Sequence, residues 1–491
     1  MRGQKSIVSG FAALALGGCA VGPDFHTPAA PSVSGYTREP MAPTTPATDI
    51  AGGAAQRFVA DADVSGQWWT LYQSPALNAL VERALKANPT LAAARASLRA
   101  AREAYYAQRA TLWPTVTGGY NLQRQKANET LAPPLTSNEN LFTLNTAQLS
   151  ISYTPDVFGG LRRQAENVRA QVDAQRFQTE ATYLTLTTNV VAAAIQAAML
   201  RDQIAATQAI IKSDSDVLAI MRRQFALGEI ARGDVVAEEA ALAQAQQTLP
   251  PLQKQLAQTE DLIANLTGRF PSEASADGVT MAGLTLPVDL PLSLPSKLVA
   301  QRPDIKAAEA NLHMASAEVG VAIANRLPNI TLSANGGGAA TDIGQMFADG
   351  NVFWALSGTL LQPIFDAGAL KHRQRGAEAA YDQARAQYSS TVLSAFQNVA
   401  DTLQALQFDA ATLKAAVVTE RSAAESLAIA KQQLAQGQVN AIVVLNAQQT
   451  YQQALVVRLQ SGANRYADTA ALFQALGGGW WNRTETADAL K

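Results

Sequence analysis

The chain has 491 residues, and its charged fraction of 16% lies below the roughly 25% of an average soluble domain. Lys and Arg number 38 against 40 Asp and Glu, and this net charge of −2 argues against a nucleic-acid partner. An apolar fraction of 48% is too high for a disordered chain. The mean hydropathy of −0.02 is too low for a bundle of membrane helices.

The N-terminus has the pattern of a bacterial export signal. Arg2 and Lys5 precede the apolar stretch 7–16, which as a helix would rise only about 15 Å and could not span a bilayer. The next residues, Gly17-Gly18-Cys19, resemble a lipobox. We therefore expect residues 1–18 to be removed and Cys19, the sole cysteine, to carry N-palmitoyl and S-diacylglycerol groups. An ordinary signal peptide with an incidental cysteine is the alternative. Ala20 resembles the outer membrane sorting residue of lipoproteins.

Residues 19–67 follow as a segment rich in Pro, Ala, Thr and Gly. Prolines at frequent intervals exclude a helix, so the sequence predicts a lipidated, extended tether that leads to the folded body.

The body is an internal duplication. Pro89 and Pro114 each recur 214 residues later, as Pro303 and Pro328, within similar Ala-rich helical patterns. The sequence predicts a first repeat over 68–268, a linker over 269–297 and a second repeat over 298–479. A tail over 480–491 begins with Trp480-Trp481, which either anchors in the membrane or packs on the helices.

Each repeat contains two predicted strands with alternating apolar and polar residues. They cover 115–124 and 147–154 in the first repeat, and 329–335 and 354–360 in the second. Four strands make too little sheet to bury a core, and an open sheet in lipid leaves its edges unpaired, so other copies of the chain must close it. We expect polar loops over 125–142 and 337–351, with Gly336-Gly337-Gly338 bending the third strand into its loop.

Long helices follow each pair of strands. The sequence predicts an unbroken helix over 161–227, about 100 Å long at about 1.5 Å per residue. Gly228 and Gly437 are placed where each long helix turns back. Return helices are predicted over 235–266 and 443–476, and Pro250-Pro251 should kink the first of them.

In this setting the chain resembles the TolC family of outer membrane efflux proteins, in the lipoprotein branch typified by OprM and NodT-type factors. The resemblance covers essentially the whole mature chain and depends on the order of several short motifs. They are Cys19-Ala20-Val21-Gly22-Pro23-Asp24-Phe25, Trp68-Trp69 with Leu71, Pro75, Leu77 and Leu80, Asn88-Pro89 with Leu91, Gln301-Arg302-Pro303-Asp304-Ile305, and Leu327-Pro328 before the strand at Ile330.

The resemblance implies a mainly α fold with a membrane β-barrel portion. Three chains would close a 12-stranded barrel that continues as a periplasmic α-helical barrel. It implies an exit duct in the outer membrane of a Gram-negative bacterium, fed by a periplasmic membrane-fusion adaptor and an inner-membrane RND-type multidrug pump. An outlet for type I protein secretion or metal-ion efflux is the alternative within the same architecture. A third possibility is a structural coiled-coil lipoprotein without a channel, but the four predicted strands argue against it.

The turns of the helical hairpins are the candidate gate and adaptor-docking region. The first turn keeps the family pattern, with Gly228 followed by Asp234-Val235, whereas Val443 and Asn446 of the second replace lumen-lining aspartates. We therefore expect a hydrophobic or amide constriction there rather than an acidic ring. The gate candidates are Arg222, Arg223, Glu229, Arg232, Asp234, Val443 and Asn446. The alternative interpretation is that the charged gate candidates, together with nearby Glu238 and Glu239, belong to a solvated helix end and have no role in a gate.

The sequence contains no recognisable catalytic or nucleotide-binding motif. The three histidines, His26, His313 and His372, are isolated, so we expect neither a metal site nor any cofactor beyond the lipid, and no enzymatic activity.

Overall fold

A computed structural model describes residues 20–128, 139–273 and 278–483. The predicted signal peptide and Cys19 lie outside the described residues, so lipidation stays a prediction. The chain divides into two compact units. The strand unit comprises the described part of Met1–Pro28 with Ser97–Gln175 and Ala307–Tyr388. The core unit comprises the described parts of Ala29–Ala96, Arg176–Lys306 and Ser389–Lys491.

The helices occur as two matched sets, one in each repeat. The second and sixth helices have 22 residues each, the third and seventh 67, and the fourth and eighth 35, which confirms the duplication. In chain order they are α1 Pro75–Ala87, α2 Pro89–Ala110, α3 Gly160–Ala226, α4 Arg232–Leu266, α5 Pro295–Gln301, α6 Pro303–Ala324, α7 Ala369–Ala435 and α8 Ala441–Ala475.

The long helix predicted over 161–227 is confirmed, since α3 begins and ends within one residue of it. The helix α4 continues through Pro250 and Pro251 without interruption, and the kink there stays a prediction. Among the described residues, α3 is the one helix long and apolar enough to cross a membrane. Most of its apolar stretch is buried in the protein, as in a core helix.

The strands form two sheets, one in each unit. The strand unit holds an antiparallel sheet in the order β2-β3-β5-β6, which leaves β2 and β6 as its edges, and the core unit holds a parallel pair, β1 with β4. The strands are β1 Arg57–Ala60, β2 Thr115–Lys126, β3 Leu141–Tyr153, β4 Asp289–Leu292, β5 Asn329–Ala340 and β6 Val352–Leu361.

The register of the large sheet separates apolar from polar rows. One row across the four strands consists of Val116, Ile151, Ala334 and Leu356, and the row beside it of Thr115, Ser152, Ser333 and Ser357. Because neighbouring residues of a strand point to opposite faces, these rows lie on opposite faces of the sheet. The alternation predicted from the sequence is therefore confirmed.

The prediction that Gly336-Gly337-Gly338 bends the third strand into a loop is wrong. All three glycines are paired inside β5, which continues to Ala340, and β3 begins at Leu141, earlier than predicted. A Cβ at Gly337 would overlap the main-chain oxygen of Ala147 on the neighbouring strand. Gly337 therefore permits close approach between strands, a role that sequence alone does not distinguish from a turn.

The segments predicted as tether and linker meet in the core unit. The short strands β1 and β4 pair in parallel, and Arg57 forms an ion pair with Asp289 at 2.9 Å. The main hydrophobic core lies in the same unit, where Trp68 stacks on Phe473 with a centroid separation of 5.4 Å.

Trp480, at the start of the tail, packs on the core unit. Its indole nitrogen donates to the carbonyl of Gln301 at 2.6 Å, and its ring makes an edge contact with Phe177. This placement favours the packing alternative for Trp480 over a membrane anchor.

Candidate functional site

The two helical hairpins of the core unit turn through the same backbone motif. Gly228 has φ of +74° and Gly437 has φ of +71°, a region that favours glycine. The amide of Glu229 donates to the carbonyl of Gln224, and the amide of Gln438 to that of Gln433, both at 2.9 Å. These bonds close a Schellman motif at the end of each long helix. Both glycines therefore lie at the turns, in a conformation that glycine adopts without strain.

The return helices begin with different capping groups in the two repeats. In the first, the Asp234 carboxylate accepts from the amide of Ala231 at 3.3 Å. In the second, Asn440 accepts from the amide of Val443 at 3.4 Å. Both contacts satisfy backbone amides at a helix start. The acidic residue of the first turn therefore has a structural role that an amide side chain provides in the second.

The other gate candidates separate into two surfaces of the core unit. Arg222 on α3 pairs with Glu239 on α4 at 2.7 Å and joins the two helices of the first hairpin. Val443 and Asn446 line a groove between α7 and α8 of the second hairpin, with a volume of about 510 Å³. Arg223, Glu229 and Arg232 are exposed on the first hairpin, as expected for a solvated helix end.

A polar cluster inside the same helices was missed from the sequence. Each of the four long helices contributes one side chain: Asp214 from α3, Glu238 from α4, Lys431 from α7 and Gln448 from α8. The Gln448 amide donates to Asp214, and the Lys431 ammonium donates to Ser213 at 3.2 Å. The cluster therefore joins the first hairpin to the second.

The two carboxyl groups of this cluster are removed from solvent. Asp214 is 0% exposed and Glu238 is 2% exposed, so Glu238 does not belong to a solvated helix end. One oxygen of each, Oδ2 of Asp214 and Oε1 of Glu238, is buried without a hydrogen-bond partner. Asp214 lies four residues before the buried Leu218 and so shares its helix face, but the polar run Ser213-Asp214-Ser215-Asp216 masks this spacing in the sequence.

Burial changes the acidity of both groups. It raises the pKa of Asp214 to about 6, although the bond from Gln448 and the charge of Lys431 act in the opposite direction. Burial and then the negative charge of Asp214 raise the pKa of Glu238 to about 7, again against the effect of Lys431. The pair thus titrates near neutral pH rather than near about pH 4.

A second site lies in the strand unit, where the residues directly after Cys19 are held in place. Arg163 has a side chain only 5% exposed, and it donates to the carbonyl of Val21 at 3.1 Å and to the carboxylate of Asp24 at 2.7 Å. The ring of Phe25 stacks on His313 at 4.3 Å. These contacts fix the start of the described chain in the unit that also holds the large sheet.

The fold and the paired hairpin turns define a class: a chain built from two copies of a strand-and-long-helix repeat. Residues 80–269 and 294–478 match the family described as outer membrane efflux protein. The chain is 30% identical over 448 residues to the pyoverdine export outer membrane protein OpmQ of Pseudomonas putida, covering 89% of this chain and 94% of the relative.

Two further likenesses extend over nearly the whole length. The toluene efflux pump outer membrane protein TtgC of Pseudomonas putida is 28% identical over 495 residues, covering 99% of this chain and 98% of TtgC. The solved outer-membrane channel OprN superposes with a TM-score of 0.82 at 27% identity, covering 94% of this chain and all of OprN's. The chain belongs to the outer membrane efflux protein family, a family of channels, and the predicted resemblance and localisation are confirmed.

Proposed function

We propose that this protein is the outer membrane exit duct of a tripartite efflux system. It receives small molecules from an inner-membrane RND-type pump through a periplasmic adaptor and conducts them to the exterior. The observation that carries the proposal is the combination of an open four-stranded sheet with paired 67-residue helices, in a chain that matches efflux relatives over almost its full length.

The proposal includes assembly as a homotrimer. The edge strands β2 and β6 end the sheet with unpaired backbone groups, and apolar side chains such as Trp354 and Leu356 are more than 70% exposed. In a bilayer, unpaired edges cost several kcal/mol per polar group, about the cost of an unmade buried hydrogen bond. Pairing of β2 with β6 of a second copy removes these edges, and three copies give twelve strands.

Small organic molecules are the favoured cargo. The relatives are named for toluene, solvent and antibiotic efflux and for pyoverdine export. Type I protein secretion or metal-ion efflux stays the alternative. Deletion of the gene tests the proposal, with accumulation of a fluorescent drug, a metal ion and a secreted protein measured in parallel. Retention of the drug alone supports it, whereas an unchanged drug level with loss of secretion or of metal tolerance contradicts it.

The exposed ion pair at the first hairpin turn is expected to restrain the closed state. Arg222→Ala breaks the link between α3 and α4 through Glu239, and Asp234→Ala removes the contact to the amide of Ala231. Because an exposed pair contributes at most about 1 kcal/mol, single-channel recording should show up to about a fivefold rise in open probability. Arg421→Ala, an exposed change on α7, serves as the control. Equal open probability in all variants would show that Arg222 and Asp234 do not restrain the gate.

Lipidation of Cys19 is the second part of the proposal. Support comes from the hydrogen bonds of Arg163 to Val21 and Asp24, which hold the residues that follow Cys19 in the strand unit. Cys19→Ser should abolish incorporation of labelled palmitate while the protein still reaches the outer membrane, since the sheet itself provides membrane contact. Labelled palmitate in the Cys19→Ser protein would refute lipidation at this residue.

A further inference from the structure

The loop that leads from the last strand of the large sheet into α7 presents apolar side chains to solvent. It joins the end of β6 at Leu361 to the start of α7 at Ala369, and in it Ile364 is 91% exposed and Phe365 is 90% exposed. Leu360 and Leu361, just before the loop, are also exposed. A contiguous exposed apolar surface of this kind marks a place where another apolar body binds.

The equivalent loop of the first repeat is covered by the N-terminal segment of the chain. Its apolar pair, 157–158, is partly buried. The amide of Val21 donates to the carbonyl of Phe158 at 3.1 Å, and a Cβ at Gly159 would overlap Ala20. Within the part of the chain that the structure describes, the loop of the second repeat has no such cover.

Basic side chains lie next to the exposed loop. Lys371 and Arg375 lie one turn apart on the same face of α7, and both are exposed. Because the Cα–Cβ bonds of a helix tilt toward its N-terminus, both side chains start toward the loop. Arg326, which donates to Gln374 of α7, adds a third cation. Among residues 20–128, 139–273 and 278–483, neither Lys371 nor Arg375 forms an ion pair.

The acids beside these cations are engaged elsewhere. Asp366 accepts from the amides of Gly368 and Leu370 at 2.8 and 2.7 Å, at the start of α7. Glu378 accepts from the side-chain amide of Gln374 at 2.8 Å. The surface therefore combines an exposed apolar pair with cations that have no acidic side chain to bind.

The two repeats differ in their charges in the same way as in their apolar pairs. At the start of α3, Arg162 pairs with Asp156 at 3.1 Å, and Arg163 pairs with Asp24 of the N-terminal segment at 2.7 Å. The first repeat thus satisfies both its cations and its apolar pair within the chain, whereas the second leaves both available to a partner.

We propose that this surface binds the phospholipid of the outer membrane at its periplasmic boundary. Ile364 and Phe365 insert among the acyl chains, and Lys371 and Arg375 bind the phosphates of anionic headgroups. The surface continues the face of β6 that carries Trp354 and is meant for lipid in the proposed barrel. The inference therefore rests on the membrane placement of the sheet in the function proposed above.

A second copy of the chain complements this surface less well. Pairing of β6 with β2 of a second copy brings the segment before β2 alongside the end of β6, because neighbouring strands run antiparallel. The helix before β2 is α2, which carries four arginines and one acid, Arg95, Arg99, Arg102, Arg109 and Glu103. A basic helix repels Lys371 and Arg375, whereas anionic lipid attracts them.

The first test identifies what touches the loop. The photoreactive amino acid p-benzoylphenylalanine replaces Phe365 in the full-length protein, which is irradiated in its native membrane and analysed by mass spectrometry. A phospholipid adduct supports the proposal, and a cross-linked dimer without a lipid adduct overturns it. The same replacement at Trp354 reports whether the sheet lies in lipid. At Phe270, which is 75% exposed in the core unit, it should give no lipid adduct.

The second test measures the preference for anionic headgroups. The full-length protein in detergent receives equal amounts of phosphatidylglycerol and phosphatidylcholine, and native mass spectrometry counts the retained lipids. Lys371→Gln combined with Arg375→Gln should lower the preference for phosphatidylglycerol by about fivefold to 25-fold, since each cation near an anionic surface contributes about fivefold in binding. Lys414→Gln combined with Arg421→Gln, the same loss of charge at exposed positions of α7, should leave it unchanged. Equal preference in all three proteins overturns the headgroup contact.

The outcomes separate this inference from the exit duct. Lipid adducts at Trp354 but not at Phe365 overturn the inference and leave the duct intact. Lipid adducts at neither position overturn the membrane placement of the sheet, and the duct with it. Lipid adducts at both positions, with an unchanged drug level after deletion of the gene, overturn the duct alone and leave the lipid contact supported.

Discussion

Gly337→Ala is expected to prevent the large sheet from forming in its native register. The added Cβ would overlap the main-chain oxygen of Ala147 and the Cα of Gln148 on β3. Backbone atoms in a paired strand cannot move aside as a flexible side chain can. Overpacking of this kind costs about 1–3 kcal/mol and occasionally more, and here it falls on the central pairing of β3 with β5. The measurement is the yield of folded protein in the outer membrane and its melting temperature in detergent.

The adjacent residue provides a matched control for that substitution. A Cβ at Gly336, in the same strand, would meet its nearest atom at 3.7 Å, an ordinary contact. Gly336→Ala should therefore be neutral or slightly stabilising, since alanine reduces the freedom of the unfolded chain. Equal behaviour of the two variants would show that the close approach of β3 and β5 does not constrain position 337.

Arg465→Met is expected to detach the segment 45–56 from the core unit. The guanidinium is 0% exposed and donates to the carbonyls of Gly52 and Ala54 at 2.8 and 2.9 Å. It also reaches Gln56 Oε1 at 3.1 Å and Thr45 Oγ1 at 3.2 Å. Methionine fills part of the volume but leaves the buried Gln56 Oε1 without this donor and removes the bonds that hold the carbonyls of Gly52 and Ala54, at a cost of about 1–3 kcal/mol.

Limited trypsin digestion measures this effect directly. Release of the segment exposes the bond after Arg57, which lies in β1 and is paired with β4 in the native protein. The control is Arg458→Met on the same helix, where the arginine is partly exposed and its partner Glu420 lies 3.9 Å away. That change should cost less than about 1 kcal/mol. Digestion at Arg57 that is equally slow in both variants would exclude the proposed role of Arg465.

Both buried sites show what sequence patterns do not reveal. From its sequence pattern, Arg465 is expected to be one more exposed charged residue on an amphipathic helix. Asp214 lies in a Ser-Asp-Ser-Asp run, which predicts a solvent-exposed surface. Their burial depends on which segment packs over them. In one case that segment is separated from the arginine by about four hundred residues, and in the other it is the second hairpin. Local periodicity carries no information about such distant partners.

For the gate candidates, too, the sequence predicted some features and only the structure showed others. Spacing alone placed Gly228 and Gly437 at the turns, because a helix that reverses needs a residue with positive φ. Because Arg222, Asp234 and Glu238 are close in the sequence to Gly228, the sequence also predicted one cluster of these residues at the first turn. The structure assigns these three residues separate roles, with Arg222 in an exposed ion pair, Asp234 at a helix start and Glu238 in a buried cluster.

The sequence by itself determined the duplication, the lengths of the helices, the alternation of the strands and the family. The helix lengths and the strand alternation follow from the local geometry of helix and strand, and the duplication and the family follow from motifs that recur in a fixed order along the chain. The tertiary structure alone decided that the glycines of β5 lie inside a strand, that β1 and β4 meet, and that two acids share a buried site between hairpins. Those outcomes depend on contacts between residues far apart in the chain, where burial and pairing arise only after the chain has folded.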